Sequence, residues 1–126
     1  MTDCDVVVIG LGPGGEAAAT KLAGAGLDVV GVDERLVGGE CPYYGCIPTK
    51  MMVHAAARPG STRQPWSQVA QRIRDEATDD WDDRVAVERL EKAGITFVRG
   101  HARLTGPGTV EVDGQTFRAA LVSSPR

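Results

Sequence analysis

Asp5-Val6-Val7-Val8-Ile9-Gly10-Leu11-Gly12-Pro13-Gly14-Gly15-Glu16 is the stretch on which the fold turns. Asp5 to Ile9 is too short for a helix and rich in β-branched residues, so it reads as a strand covered on both faces. Gly10 ends it. From Glu16 to Ala25 the chain is mostly alanine with Lys21 and Leu22, good helix formers, and Gly26 stands where a helix would stop. Asp28 to Val32 reads as a second buried strand. Strand, glycine turn, helix and strand within about 30 residues make a βαβ unit, whose right-handed crossover sets the two strands parallel.

The rest of the chain fits around that unit. Pro48 is placed to open a helix through Thr49 to Ala57, and Arg58-Pro59-Gly60-Ser61-Thr62 reads as loop. Trp66, Val69, Ile73 and Ala77 recur at helical spacing, as do Val85, Leu90 and Ala93, so two helical stretches are expected to flank the acidic run Asp79 to Asp83. Ile95 to Val98 reads as a third strand. Gly106-Pro107-Gly108 and Asp113-Gly114 are turn signals, the second a hairpin signal, and Ala119 to Val122 can return to the parallel sheet. The expected fold class is therefore α/β, a Rossmann-like parallel sheet with flanking helices and a small antiparallel β-meander near the C-terminus. No internal repeat or long linker divides residues 1–126, which read as one domain.

Composition narrows the function. A chain of 126 residues supports one core, and a net charge of −3 with no Lys/Arg run longer than two argues against nucleic acid as a partner. The apolar run at Val6 to Ile9 is brief and follows Asp3 and Asp5, which fits neither a signal peptide nor a membrane span. A cytoplasmic location is expected, without a membrane partner. Glycine makes up 16 of the residues, nearly twice the usual share of about 7%. Backbone is expected to approach something closely.

Gly10-Leu11-Gly12-Pro13-Gly14-Gly15 supplies a reason. In a G-x-G-x-x-G turn between strand and helix, Gly10 permits the tight turn, Gly12 lets backbone come up to a pyrophosphate, and Gly15 lets the helix lie close to the sheet. Unpaired N–H groups at the helix start, those at Gly14 and Gly15 among them, favour an anion there. Asp33 closes the second strand, where its carboxylate can accept hydrogen bonds from a ribose hydroxyl. A glycine turn used for packing alone is the competing reading.

The second constellation is Gly38-Gly39-Glu40-Cys41-Pro42-Tyr43-Tyr44-Gly45-Cys46-Ile47-Pro48-Thr49-Lys50. In a regular helix Cys41 and Cys46 would stand roughly 8 to 9 Å apart at Cα, beyond disulfide reach, so regular helix is excluded between them if they pair. Pro42 and Gly45 supply irregular backbone. Such a strained pair is easily reduced, and a cysteine near a helix start favours the thiolate. Lys50 would share a face with Cys46. Two unpaired buried cysteines, or a zinc site, are alternatives; the second lacks further ligands at the right spacing, and no metal is expected. Cys4 is expected to be a small buried side chain. Trp66 and Trp81 are expected as core or interface anchors.

Together, the glycine turn, Asp33 and G-G-x-C-x-x-x-x-G-C-x-P-x-K resemble the N-terminal FAD-binding part of the pyridine nucleotide-disulfide oxidoreductases, the family of glutathione reductase, dihydrolipoamide dehydrogenase and mercuric reductase. The resemblance implies bound FAD and electron flow from NAD(P)H through flavin to a Cys41/Cys46 disulfide. By position, Cys46 would stand against the flavin and Cys41 would exchange with substrate. Gly39 falls in the same loop, Lys50 matches the lysine near the reactive edge of the isoalloxazine, and Gly100-His101-Ala102 is similar to the segment beside the adenine. A homodimer is also implied, since the family's acid-base histidine comes from the neighbouring subunit.

Departures go with the matches. Glu40 stands where many members have threonine near the pyrophosphate. The second glycine fingerprint, the site for NAD(P)H, and the C-terminal interface domain are absent from these residues. The expectation is an incomplete FAD-binding domain, a truncated form of such an enzyme. A non-enzymatic nucleotide-binding or thiol redox-sensing module is the alternative.

Overall fold

The computed structural model describes residues 1–57 and 63–124; the loop expected at residues 58–62 lies outside them. In chain order the elements are β1 (Thr2–Ile9), α1 (Pro13–Gly24), β2 (Val29–Asp33), α2 (Glu40–Tyr43), α3 (Cys46–Ala56) and α4 (Trp66–Arg72). A π-helical stretch, Ile73–Ala77, continues α4, and α5 (Arg84–Lys92), β3 (Ile95–Arg99), β4 (Ala102–Gly106), β5 (Thr109–Val112) and β6 (Gln115–Ser123) follow. The six strands form one sheet in the order β3-β2-β1-β6-β5-β4. Strands β3, β2, β1 and β6 are parallel, while β5 and β4 are antiparallel additions.

The valine run explains why β1 is central. Val6, Val7 and Val8 are all buried, and successive side chains of a strand point to opposite faces, so both faces need cover. Val6 and Val8 join Val29, Ile95 and Leu11 beneath α1 and α5, with Ala19 and Leu90 as the closest helical contributions. Small residues bring α1 near: Gly15 and Ala19 are both buried. Val7, Val30 and Val32 on the opposite face meet Val110, Val112, Phe117 and Ala119. That second layer is the meander, so the flanking helices α1 and α5 share one face and β-structure covers the other.

Strand β6 joins the two layers. Phe117 is opposite Val110 in the antiparallel pairing and opposite Thr2 in the parallel one, after which β6 follows β1 to Val8↔Ser123. The hairpin feeding it turns at Asp113 (φ 45°) and Gly114 (φ 86°), the paired positive angles of a type I′ turn.

Several boundaries differ from the sequence reading. Helix α1 starts at Pro13 rather than Glu16, because proline suits the first helical position, where its missing N–H goes unused. Helix α3 starts at Cys46, two residues before Pro48. Trp66 is 63% and Trp81 39% exposed, so neither is a core anchor. Cys4 is half-buried rather than buried, and its thiol donates to the Arg118 carbonyl at 3.7 Å. Among the described residues no helix is long and apolar enough to cross a membrane.

Candidate functional site

At the C-terminal end of β1 the chain turns through Gly10 at φ 93°, a left-handed angle that suits glycine, and its N–H donates to the Val32 carbonyl at 2.8 Å. Gly12 occupies the N-cap of α1 without a capping side chain, and Pro13 follows at the first position. The Gly14 and Gly15 amides therefore head a helix whose positive end is open to an anion. Gly38 donates its N–H to the Leu11 carbonyl at 2.8 Å, which stitches the loop after β2 onto this turn. The stitch brings Gly39, at φ 72°, against Gly12: a Cβ on Gly39 would stand 2.8 Å from the Gly12 Cα. The reverse does not hold. A Cβ on Gly12 would meet no protein atom closer than the Gly39 Cα at 3.9 Å. Packing thus requires glycine at 39 and leaves 12 open to a side chain.

Asp33, at the end of β2, uses both carboxylate oxygens on backbone: Oδ2 accepts from Leu11 N–H at 2.7 Å and Oδ1 from Arg35 N–H at 2.8 Å. A carboxylate has about four lone-pair sites, so acceptor capacity remains. Asp33 also lines a cleft of about 290 Å³ with Gly10, Glu34, His101 and Ala102. The structure therefore brings Gly10, Asp33 and Ala102 into one place. A Glu34–His101 contact of 2.7 Å joins the segments after β2 and β3 beside it. The sequence reading missed that pair, although its members adjoin Asp33 and Ala102.

Regular helix breaks between the cysteines, as their spacing requires if they meet. Helix α2 is a single turn, Tyr44 and Gly45 interrupt it, and α3 begins at Cys46. Glycine eases the break, since a Cβ on Gly45 would press to 3.2 Å from the Glu40 carbonyl oxygen. The neighbouring Cys46 thiol, ahead of lost solvation, pushes the Cys41 thiol above the ordinary range. The Cys46 N–H and the Lys50 ammonium act the other way and favour the Cys41 thiolate. Both sulfurs are free thiols in this structure, Cys41 half-buried and Cys46 exposed. Lys50 and Glu40 are exposed. Cys41 faces a cavity of about 420 Å³ between the start of α1 and residues 77–89.

A buried carboxylate holds this loop in place. Asp83, the last residue of the acidic run, is buried at the N-cap of α5 and accepts from Val37 N–H at 2.7 Å. Arg99 approaches it with one nitrogen at 2.8 and 2.9 Å and donates also to the Arg35 carbonyl. Tyr44 stacks on Trp81 with centroids 5.7 Å apart and planes 8° apart. Neither contact has a local signal, because each joins residues far apart in sequence.

A sequence model described as pyridine nucleotide-disulphide oxidoreductase matches residues 4–122. The chain belongs to that family. It is 37% identical over 148 aligned residues to a dihydrolipoyl dehydrogenase of Halobacterium salinarum, covering 98% of this chain and 30% of the relative. A glutathione reductase of a Nostoc species is 33% identical over 130 residues, covering 93% of this chain and 28% of the relative. Among solved structures, the HOCl-induced flavoprotein disulfide reductase RclA of Escherichia coli superposes with a TM-score of 0.83 at 26% identity, over 96% of this chain and 27% of that one. The chain thus spans less than a third of the length of these oxidoreductases. Within it lie both the glycine cradle and the paired thiols.

Proposed function

We propose that residues 1–126 act as the FAD-binding part of a disulfide oxidoreductase in which electrons pass from NAD(P)H through flavin to the Cys41/Cys46 pair. The observation that carries this reading is the contact of Gly12 with Gly39. It sets an uncapped helix start beside the segment that carries Cys41, two residues beyond Gly39, and Cys46, seven residues beyond it. An open position at Gly12 that the protein's own packing leaves unfilled is what a ligand diphosphate requires.

Each residue then has a role. Gly12, Gly14 and Gly15 present backbone to the diphosphate, with Gly10 and Gly39 fixing the two loops that approach each other. Asp33 accepts from ribose, and Ala102 leaves room beside the adenine. FAD, when bound, supplies the two-electron exchange between nicotinamide and sulfur. The chain's own chemistry is thiol–disulfide exchange. A Cys41 thiolate attacks a substrate disulfide and expels one thiolate; the Cys46 sulfur then attacks Cys41, forming the Cys41–Cys46 bond and expelling the second. Two protein thiols are oxidised, one substrate disulfide is reduced, and the two protons pass to the departing sulfurs. Lys50 favours the Cys41 thiolate through its charge. A reducing cytoplasm suits such a pair, because it keeps thiols available.

The test is a fluorescence titration of the purified chain with FAD, paired with mass spectrometry of the cysteines after mild oxidation. Saturable quenching of flavin emission and a Cys41–Cys46 bond, seen as the loss of two hydrogens, are expected. Absence of both overturns the proposal. Oxidation of the cysteines without flavin binding favours a thiol redox-sensing module, a reading to which the exposure of Cys46 also lends support.

A further inference from the structure

The cavity beside Cys41 has a sign. Its wall carries Glu16, Asp79 and Asp82 against Arg89, which leaves a formal charge of −2. Arg89 and Glu16 pair at 3.1 Å and cancel locally, so Asp79 and Asp82 carry the excess. Asp82 Oδ1 accepts from the Arg84 N–H at 2.9 Å, which leaves its charge intact. Of the nearby cations, Arg74 pairs with Asp80 at 3.6 Å and Arg99 with Asp83 at 2.8 Å, while Arg84 is not part of this wall. Lys50 acts on Cys41 from outside this wall.

The position of the carboxylates is held by backbone. Asp79, Asp80 and Trp81 take left-handed φ angles of 49°, 54° and 61°. The buried Thr78 hydroxyl accepts from Trp81 N–H at 3.3 Å and donates to the Arg74 carbonyl at 2.9 Å. Tyr43, on the same wall, has its phenol held above the ordinary range by burial first, then by Asp83 and Glu16, with Arg89 opposing and Asp82 adding the smallest part.

We infer that this cavity selects the disulfide that exchanges with Cys41 by charge, admitting small disulfides with cationic groups near the sulfurs over anionic ones, through Asp79 and Asp82. The inference rests on the exchange chemistry proposed above. The step is the same: Cys41 attacks, Cys46 resolves, and the small disulfide leaves as two thiols. Only the approach of the disulfide changes, through a field that raises the local concentration of cations.

The full chain, reduced and freed of reductant, is mixed with cystamine, hydroxyethyl disulfide or dithiodipropionate, which are cationic, neutral and anionic. Formation of the Cys41–Cys46 bond is timed by acid quench and mass spectrometry, with dithiothreitol as the reference dithiol. At low salt the cystamine to dithiodipropionate rate ratio, divided by that for dithiothreitol, is expected to be about tenfold or more. Near 1 M salt, where the screening length is about 3 Å, it should approach one. Asp79→Asn with Asp82→Asn should lower the cystamine to hydroxyethyl disulfide ratio several-fold; asparagine also accepts the left-handed angle at position 79. The salt series needs no variant. A normalised ratio near one at low salt overturns charge selection while leaving the exchange reading standing. Failure of hydroxyethyl disulfide to oxidise the pair overturns the exchange reading and this inference together.

Discussion

At the residue scale, Gly12 and Gly39 set the proposed ligand requirement apart from a packing requirement. Gly39→Ala puts a Cβ 2.8 Å from the Gly12 Cα at φ 72°, so it should cost about 1–3 kcal/mol in a denaturant titration. Gly12→Ala meets no protein atom nearer than 3.9 Å. Its stability should fall by no more than about 1 kcal/mol, the cost of alanine at an N-cap, while its FAD affinity falls at least tenfold in the fluorescence titration. An alanine at 12 that binds FAD normally would remove the diphosphate from that position. Cys41 gives a pH prediction. Its folded-state thiol is raised by the Cys46 contact, so that contribution to stability is present below the ordinary thiol range and lost as pH rises through the folded value. Alkylation of Cys41 should have its midpoint above that of a free thiol; Cys46→Ala should bring the midpoint down and Lys50→Ala should raise it. Iodoacetamide rates against pH, read by peptide mass spectrometry, check all three.

At the element scale, the loop between β2 and α2 is held from outside itself. Asp83 at the head of α5 satisfies Val37 N–H and Arg99, and Arg99 lies opposite Asp33 in the β2–β3 register. Asp83→Ala leaves a buried amide without a partner, and a loss of about 1–3 kcal/mol is expected. Asp83→Asn keeps an acceptor for Val37 and should lose less, so thermal melts of the two should rank in that order. Equal melting of both variants and the parent would show that the loop is held by Gly38 and Leu11 alone. The helix break at Tyr44 and Gly45 was legible from the cysteine spacing, because helix geometry is local. The stack of Tyr44 on Trp81 was not, because nothing near either residue specifies the other.

At the scale of the whole molecule, β6 decides whether the two layers act as one. Phe117 is 1% exposed and packs with Val7, Val30 and Val32 of the parallel strands as well as Val110 and Val112 of the meander. Phe117→Ala should cost about 3–5 kcal/mol, a large share of a stability of about 5–15 kcal/mol. Urea unfolding should shift in one transition. Separate unfolding of the meander would mean that the layers are independent.

The sequence by itself determined the βαβ opening, the parallel direction of its strands, the glycine turn, the hairpin at Asp113-Gly114 and the break in helix between Cys41 and Cys46. Each follows from local sterics, burial periodicity or chain handedness, which neighbouring residues encode. Only the tertiary structure decided that the meander covers the second sheet face, that Gly39 closes on Gly12, that Asp83 is buried, and that Asp79 and Asp82 line the same cavity as Cys41. Those facts join residues from about 30 to more than 80 positions apart, and such partners are chosen by how packed layers meet rather than by any local preference of the chain.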